Sequence, residues 1–111
     1  LDSQIHLNLG YLYARKGLYK YAVEEHIKAL KSDKENKDIH YNLGFLYAKL
    51  GQFSQAADAY KQALKGNEED RDVYYNLAVI YGQNLGDRKA ALEYYKKSLS
   101  STAAAQPADK K

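Results

Sequence analysis

The sequence contains no cysteine and no tryptophan, has a single proline, and carries no long apolar run. Without cysteine there are no disulfides and no thiolate metal sites, and thiol usage leaves the redox compartment open. No apolar stretch approaches the ~20 residues that a membrane-crossing helix requires. The start, LDSQIHLNLG, has neither a basic segment of the kind that opens a secretory signal nor an initiating methionine, and reads as a piece cut from something longer. One-sided charge is missing too. The 17 basic and 14 acidic residues leave a net charge of +3, too balanced to point to a nucleic acid or a membrane surface. Localisation stays open, with a soluble, cytoplasmic setting favoured.

What the chain does have is tyrosine, 12 of its 14 Phe and Tyr residues, and self-similarity. HLNLGYLY at 6–13 returns as HYNLGFLY at 40–47 and as YYNLAVIY at 74–81, a spacing of 34 residues each time. A second block recurs as AVEEHIKAL at 22–30, AADAYKQAL at 56–64 and ALEYYKKSL at 91–99, and here the last interval is 35. The additional residue is expected in the turn, where GQNLGD at 82–87 replaces AKLGQ at 48–52, because turns tolerate insertion. Both blocks carry apolar residues at helical spacing, as in Ile39, Leu43, Leu46, Tyr47 and Leu50, with no β-type alternation.

Two helices per repeat follow, predicted at 3–16, 19–32, 37–50, 53–66, 71–84 and 88–101. Gly17, Gly51 and Gly86 stand where the first helix of each pair must stop and reverse. Ser3, Ser54 and Asp87 are the predicted N-caps. The organisation expected is one domain, 1–105, of repeats 3–36, 37–70 and 71–105, with a disordered tail at 106–111.

This pattern resembles the tetratricopeptide repeat, whose signature puts a large residue, then Leu-Gly, then Tyr on the first helix and Ala then an aromatic on the second. The matching residues are His6, Leu9, Gly10, Tyr13, Ala22, His26 and Ala29, then His40, Leu43, Gly44, Tyr47, Ala56, Tyr60 and Ala63. In the third repeat they are Tyr74, Leu77, Ala78, Tyr81, Ala91, Tyr95 and Ser98. The resemblance implies an all-α solenoid of three helix-turn-helix repeats, six antiparallel helices in a right-handed superhelix. Gly10, Gly44 and Ala78 are expected to meet Ala22, Ala56 and Ala91 where the helices cross most closely. Two departures stand out: Lys34 and Glu68 replace the proline that closes a repeat, and His6, His40 and Tyr74 replace its tryptophan.

By the same resemblance, the first helices line a concave groove. It is expected to display the column Asn8, Asn42 and Asn76, flanked by Leu7, Tyr41 and Tyr75 and by Tyr11 and Phe45. An asparagine amide offers donors and an acceptor to a peptide backbone whatever the side chains, while the rings supply apolar contact. The function implied is a protein-protein interaction module, a scaffold or adaptor that holds a peptide or helix of a partner. The carboxylate clamp of chaperone-binding relatives finds Leu7, Tyr11, Asn42, Asp72 and Asn76 at its positions, so that only Asn42 fits and a chaperone C-terminal tail is not the expected ligand.

A structural alternative is a segment of a longer solenoid, or a module that self-associates through its uncapped C-terminal repeat, since no further amphipathic helix follows Leu99. No enzyme, metal or cofactor is expected. His6, His26 and His40 sit at packing positions, and no phosphate loop, HExxH or nucleophile-elbow pattern occurs. Lys28, Lys31, Lys61, Lys65, Lys96 and Lys97 read as a solvated convex face rather than as a nucleic-acid surface.

Overall fold

The computed structural model describes residues 2–100. Within them lie six α-helices and no strand: α1 (Ser3–Arg15), α2 (Tyr19–Leu30), α3 (Lys37–Lys49), α4 (Phe53–Leu64), α5 (Arg71–Val79) and α6 (Arg88–Ser100). The expected tail, 106–111, and the last residue of the sixth predicted helix lie outside the described residues. Successive helices pack as the pairs α1/α2, α3/α4 and α5/α6, which stack into an all-α solenoid.

Backbone chemistry fixes the helix ends. Gly17, Gly51 and Gly86 have φ of 79, 77 and 71°, the left-handed conformation in which a Cβ would be strained. In the first two repeats the N–H just after the glycine, of Leu18 or Gln52, donates over 2.9 Å to the carbonyl of Tyr13 or Tyr47 five residues back. In the third, the N–H of Asp87 reaches the equivalent carbonyl of Tyr81 at 2.8 Å, six residues back. The extra residue is therefore not in the turn, as the sequence suggested. It widens the end of the helix into a π-helical turn over Ile80–Asn84, closed by Leu85 N–H to Ile80 O at 2.9 Å.

The caps are also partly different from those expected. Asp2, not Ser3, caps α1, through Ile5 N–H; Asn36 and Asp70 cap α3 and α5; Asp87 caps α6, as expected, through Ala90 N–H. Ser54 lies inside α4, which like α2 starts without a side-chain cap. The turns explain why: Leu18 and Gln52 both close one helix and open the next, and neither has a short oxygen-bearing side chain.

The buried apolar clusters bridge neighbouring repeats. One cluster joins Ala22, Val23 and Ala29 of α2 to Ile39, Leu43 and Leu46 of α3. The next joins Ala56, Ala57, Tyr60 and Ala63 of α4 to Val73 and Leu77 of α5 and to Ile80. Each repeat thus completes the one before it, as expected for a structure whose single units are too thin to bury an apolar face.

At the helix crossing the packing differs from a simple small-on-small contact. Ala22, Ala56 and Ala91 are buried, but a Cβ on Gly10 would first strike the His26 ring, at 2.5 and 2.6 Å, with the Ala22 carbonyl oxygen next at 3.4 Å. A Cβ on Gly44 would strike the Tyr60 ring at 2.8 Å. The glycines make room for the aromatic residue one helical turn beyond the alanine. Ala91 instead meets Gly82, where a Cβ would come within 3.2 Å of its own.

Both departures from the repeat signature are joined by a hydrogen bond. The His40 ring, through Nε2, bonds to the Lys34 carbonyl at 2.9 Å, and the Tyr74 hydroxyl donates to the Glu68 carbonyl at 2.7 Å. A polar ring where tryptophan is usual braces the loop at the position where proline is usual. His6 is held otherwise, by Glu25 at 2.7 Å.

Candidate functional site

The first helices bring the asparagine column together. Asn42 Nδ2 donates to the Tyr11 hydroxyl at 3.4 Å and Asn76 Nδ2 to the Tyr41 hydroxyl at 3.3 Å, so each amide reaches back to the preceding repeat. Asn8, in the first of the described repeats, accepts from Gln4 Nε2 at 3.1 Å. An amide has two N–H donors and an acceptor oxygen, so one tether to tyrosine leaves capacity for a second partner. The tyrosine tethers were not legible in the sequence: the donors and acceptors lie 31 and 35 residues apart, and nothing local links them.

The apolar residues divide. Tyr11, Phe45 and Tyr75 are exposed large rings, whereas Leu7 and Tyr41 are half-buried against the core. Tyr41 stands edge-on to Tyr60 with ring centres 5.4 Å apart, and Tyr75 stands the same way to Tyr95 at 6.0 Å. Identical repeat positions thus have different fates, because α5 covers Tyr41 and nothing described follows to cover Tyr75.

Two cavities recur at the repeat spacing. One, of about 180 Å³, is lined by Tyr11, Ala14, His26, Asn42, Phe45 and Leu46. The second, of about 310 Å³, includes Ala48, Tyr60, Asn76, Val79 and Ile80, the residues 34 positions on from five of those. Each has an asparagine of the column in its wall, beside apolar side chains. The rings at their backs differ. His26 is buried, and its Nδ1–H donates to the Ala22 carbonyl at 2.9 Å, which leaves Nε2 as an acceptor without a partner. Burial lowers its pKa, against the opposing pull of the Ala22 carbonyl and of Glu25, so the ring is neutral at pH 7. Tyr60 is its counterpart; burial first, and Tyr41 second, push its pKa up and keep the phenol protonated.

Near the N-termini of α3 and α5 the charge is mainly acidic. Asp38, Asp70 and Asp72 border a cavity of about 260 Å³ with Lys37 and Tyr41. Among the described residues no group of three His, Asp or Glu side chains converges to hold a metal ion, and no helix is long and apolar enough to cross a membrane. The lysines of the second helices have neighbours of their own. Lys28 pairs with Glu25 at 3.4 Å, while Lys61 lies 5.1 Å from the Tyr81 ring centre and Lys97 5.7 Å from that of Tyr74.

Comparison with known families finds three matching repeat models. Two described as "Tetratricopeptide repeat" match residues 38–68 and 72–104, and one described as "TPR repeat" matches 10–51. No curated protein sequence matches the chain significantly. Among solved structures, the crystal structure of MamA superposes with a TM-score of 0.82 at 29% identity over 91% of this chain. A second MamA structure, MamA AMB-1, gives 0.83 at 27% identity over 93% of this chain and 60% of that one. The second TPR of Spaghetti (RPAP3), solved with the HSP90 peptide SRMEEVD, gives 0.80 over 89% of this chain and 91% of that one, but at 17% identity, a likeness of fold alone. The chain spans 58% of the length of the first of these MamA chains.

Proposed function

The chain belongs to the tetratricopeptide repeat family, and from that premise we propose that its groove holds an extended peptide or a helix of a partner protein, in a scaffold or adaptor role. The observation that carries this reading is the pair of cavities set one repeat apart, each walled by an asparagine of the column and by apolar side chains. A peptide laid across them would find polar groups for its backbone and apolar recesses for two of its side chains. Because His26 backs one recess and Tyr60 the other, the two would select different side chains.

Asn42 is the central test of backbone recognition. Asn42→Ala is expected to weaken binding by about 1 kcal/mol for each net hydrogen bond removed, and by similar amounts for peptides of unrelated sequence. Calorimetric titration of several peptides selected against the unaltered chain measures this. A loss confined to one peptide would show that Asn42 reads a side chain instead, and no loss for any of them would remove the column from the site.

The acidic C-terminal tail of a chaperone is the wrong ligand for this groove. A carboxylate clamp needs cations, and Leu7 and Asp72 stand where they are required, with Asp38 and Asp70 adding negative charge nearby. The peptide SRMEEVD is therefore expected not to bind at micromolar concentration. Micromolar binding that disappears when its C-terminus is amidated would refute this.

A further inference from the structure

Both internal junctions of the solenoid bury the same three positions of the incoming first helix. Ile39, Leu43 and Leu46 lie against α2, and Val73, Leu77 and Ile80 against α4, none of them more than 4% exposed. One repeat earlier the same positions are Ile5, Leu9 and Leu12 of α1, which are 43, 38 and 53% exposed. The other half of the junction is open at the far end. Val23 and Ala57 are buried by the repeat that follows them, while their counterpart Leu92 on α6 is 54% exposed and Leu99 is 84% exposed. The chain thus carries both halves of one established interface, uncovered, at opposite ends.

We propose that these ends pair with each other, the α6 face of one copy docking on the α1 face of a second and continuing the solenoid head to tail. The fit follows from the internal junctions. A cavity of about 620 Å³ at the α6 end is bordered by Gly82, Ala91, Leu92 and Tyr95. Gly82 and Tyr95 are the repeat counterparts of Ala14 and His26, which border the first groove cavity. That cavity is closed by Asn42, Phe45 and Leu46 of the next repeat, and a second copy would offer Asn8, Tyr11 and Leu12 at those positions. Tyr75 would likewise receive the amide of the second copy's Asn8 as Tyr41 receives that of Asn76. Charged residues stand at two junction positions that are apolar internally: Glu25 replaces Ala59, with its carboxylate already held by His6 at 2.7 Å and Lys28 at 3.4 Å, and Arg88, which borders the α6 cavity with Lys89, replaces Tyr19 and Phe53.

Residues 101–111 are a poor rival for the α6 face, since STAAAQPADKK offers no apolar side chain larger than alanine except one proline. A head-to-tail contact that continues the solenoid climbs along the superhelix instead of returning to its start, so assembly is open and concentration-dependent rather than stopping at a dimer. It is independent of the groove reading.

Sedimentation equilibrium of the 111-residue chain from ~1 μM to ~1 mM, the span of weak to moderate association, provides the test. The expected result is an average mass that rises through and beyond the dimer. Leu12→Glu blocks the α1 face and Leu92→Glu the α6 face. Both side chains are more than half exposed, so both variants should keep the helical spectrum of the parent. Each alone should remain monomeric, and an equimolar mixture should stop at one heterodimer, since only one compatible pair of faces remains. A parent chain that is monomeric throughout would overturn the proposal and leave the faces to a further repeat or a different protein. Association that survives in both single variants would equally overturn it.

Discussion

Replacing Gly44 by leucine should cost about 1–3 kcal/mol or more of stability. The sign is not obvious from local preference. Inside an exposed helix, glycine is about 1 kcal/mol worse than alanine, so removing it should help. At Gly44 a new Cβ would lie 2.8 Å from three atoms of the Tyr60 ring, which is itself buried and held edge-on against Tyr41. The ring cannot swing aside without opening the junction between the second and third repeats, where it packs with Val73 and Leu77. Steric overlap therefore outweighs propensity, already for Gly44→Ala and more for Gly44→Leu. In thermal unfolding of a chain this size each kcal/mol corresponds to roughly 4–8 °C, so the leucine variant should melt many degrees below the parent. Combining Gly44→Ala with Tyr60→Ala checks the cause. With the ring gone, the added methyl group should cost little, and an undiminished penalty would show that the contact was misassigned.

The largest effect on binding is expected from Phe45→Ala, a loss of about 1–3 kcal/mol, or roughly 5- to 150-fold in affinity, for peptides carrying an apolar anchor. Phe45 lines the smaller groove cavity yet is exposed, with the Lys49 ammonium 5.4 Å from its ring centre, so it offers area to a ligand without being needed for the core. Peptides whose anchors are polar should lose much less. Tyr41→Ala is the instructive contrast. Its ring packs on Tyr60 and its hydroxyl accepts from Asn76, so its removal should lower stability and disturb binding through the fold. Affinities from calorimetry, set beside unfolding midpoints of the same variants, separate the two. Unchanged affinity in Phe45→Ala with intact stability would exclude the groove as the apolar contact surface.

Much of the candidate site was legible before any coordinates. The 34-residue period makes Asn8, Asn42 and Asn76 counterparts, and the resemblance to the tetratricopeptide repeat implied that they and the rings Tyr11, Phe45 and Tyr75 face the groove. The cavities and the orphan nitrogen of His26 were not, although the signal existed. His26 stands where the other repeats have tyrosine, and a shorter polar ring at a buried position is a departure that asks for a partner. Ser3 and Ser54 mislead for the opposite reason: a residue type that suits a cap need not stand at a capping position, and in α1 the true cap lies one residue earlier.

The sequence by itself determined the helix pairs, the 34-residue period and the reversals at Gly17, Gly51 and Gly86. These depend on interactions within a few residues, repeated three times over so that chance cannot mimic them. Only the tertiary structure decided what depends on the next repeat. It half-buried Tyr41 and left Tyr75 exposed, set the His26 and Tyr60 rings over the glycines, and absorbed the extra residue of the third repeat as a π-helical turn. The reason is the same in each case. The Tyr81 carbonyl and Gly86 are fixed by packing and by the reversal to α6, so an added residue must be taken up between them. Whether a side chain is core or surface likewise rests on contacts some thirty residues away, which a local pattern does not encode.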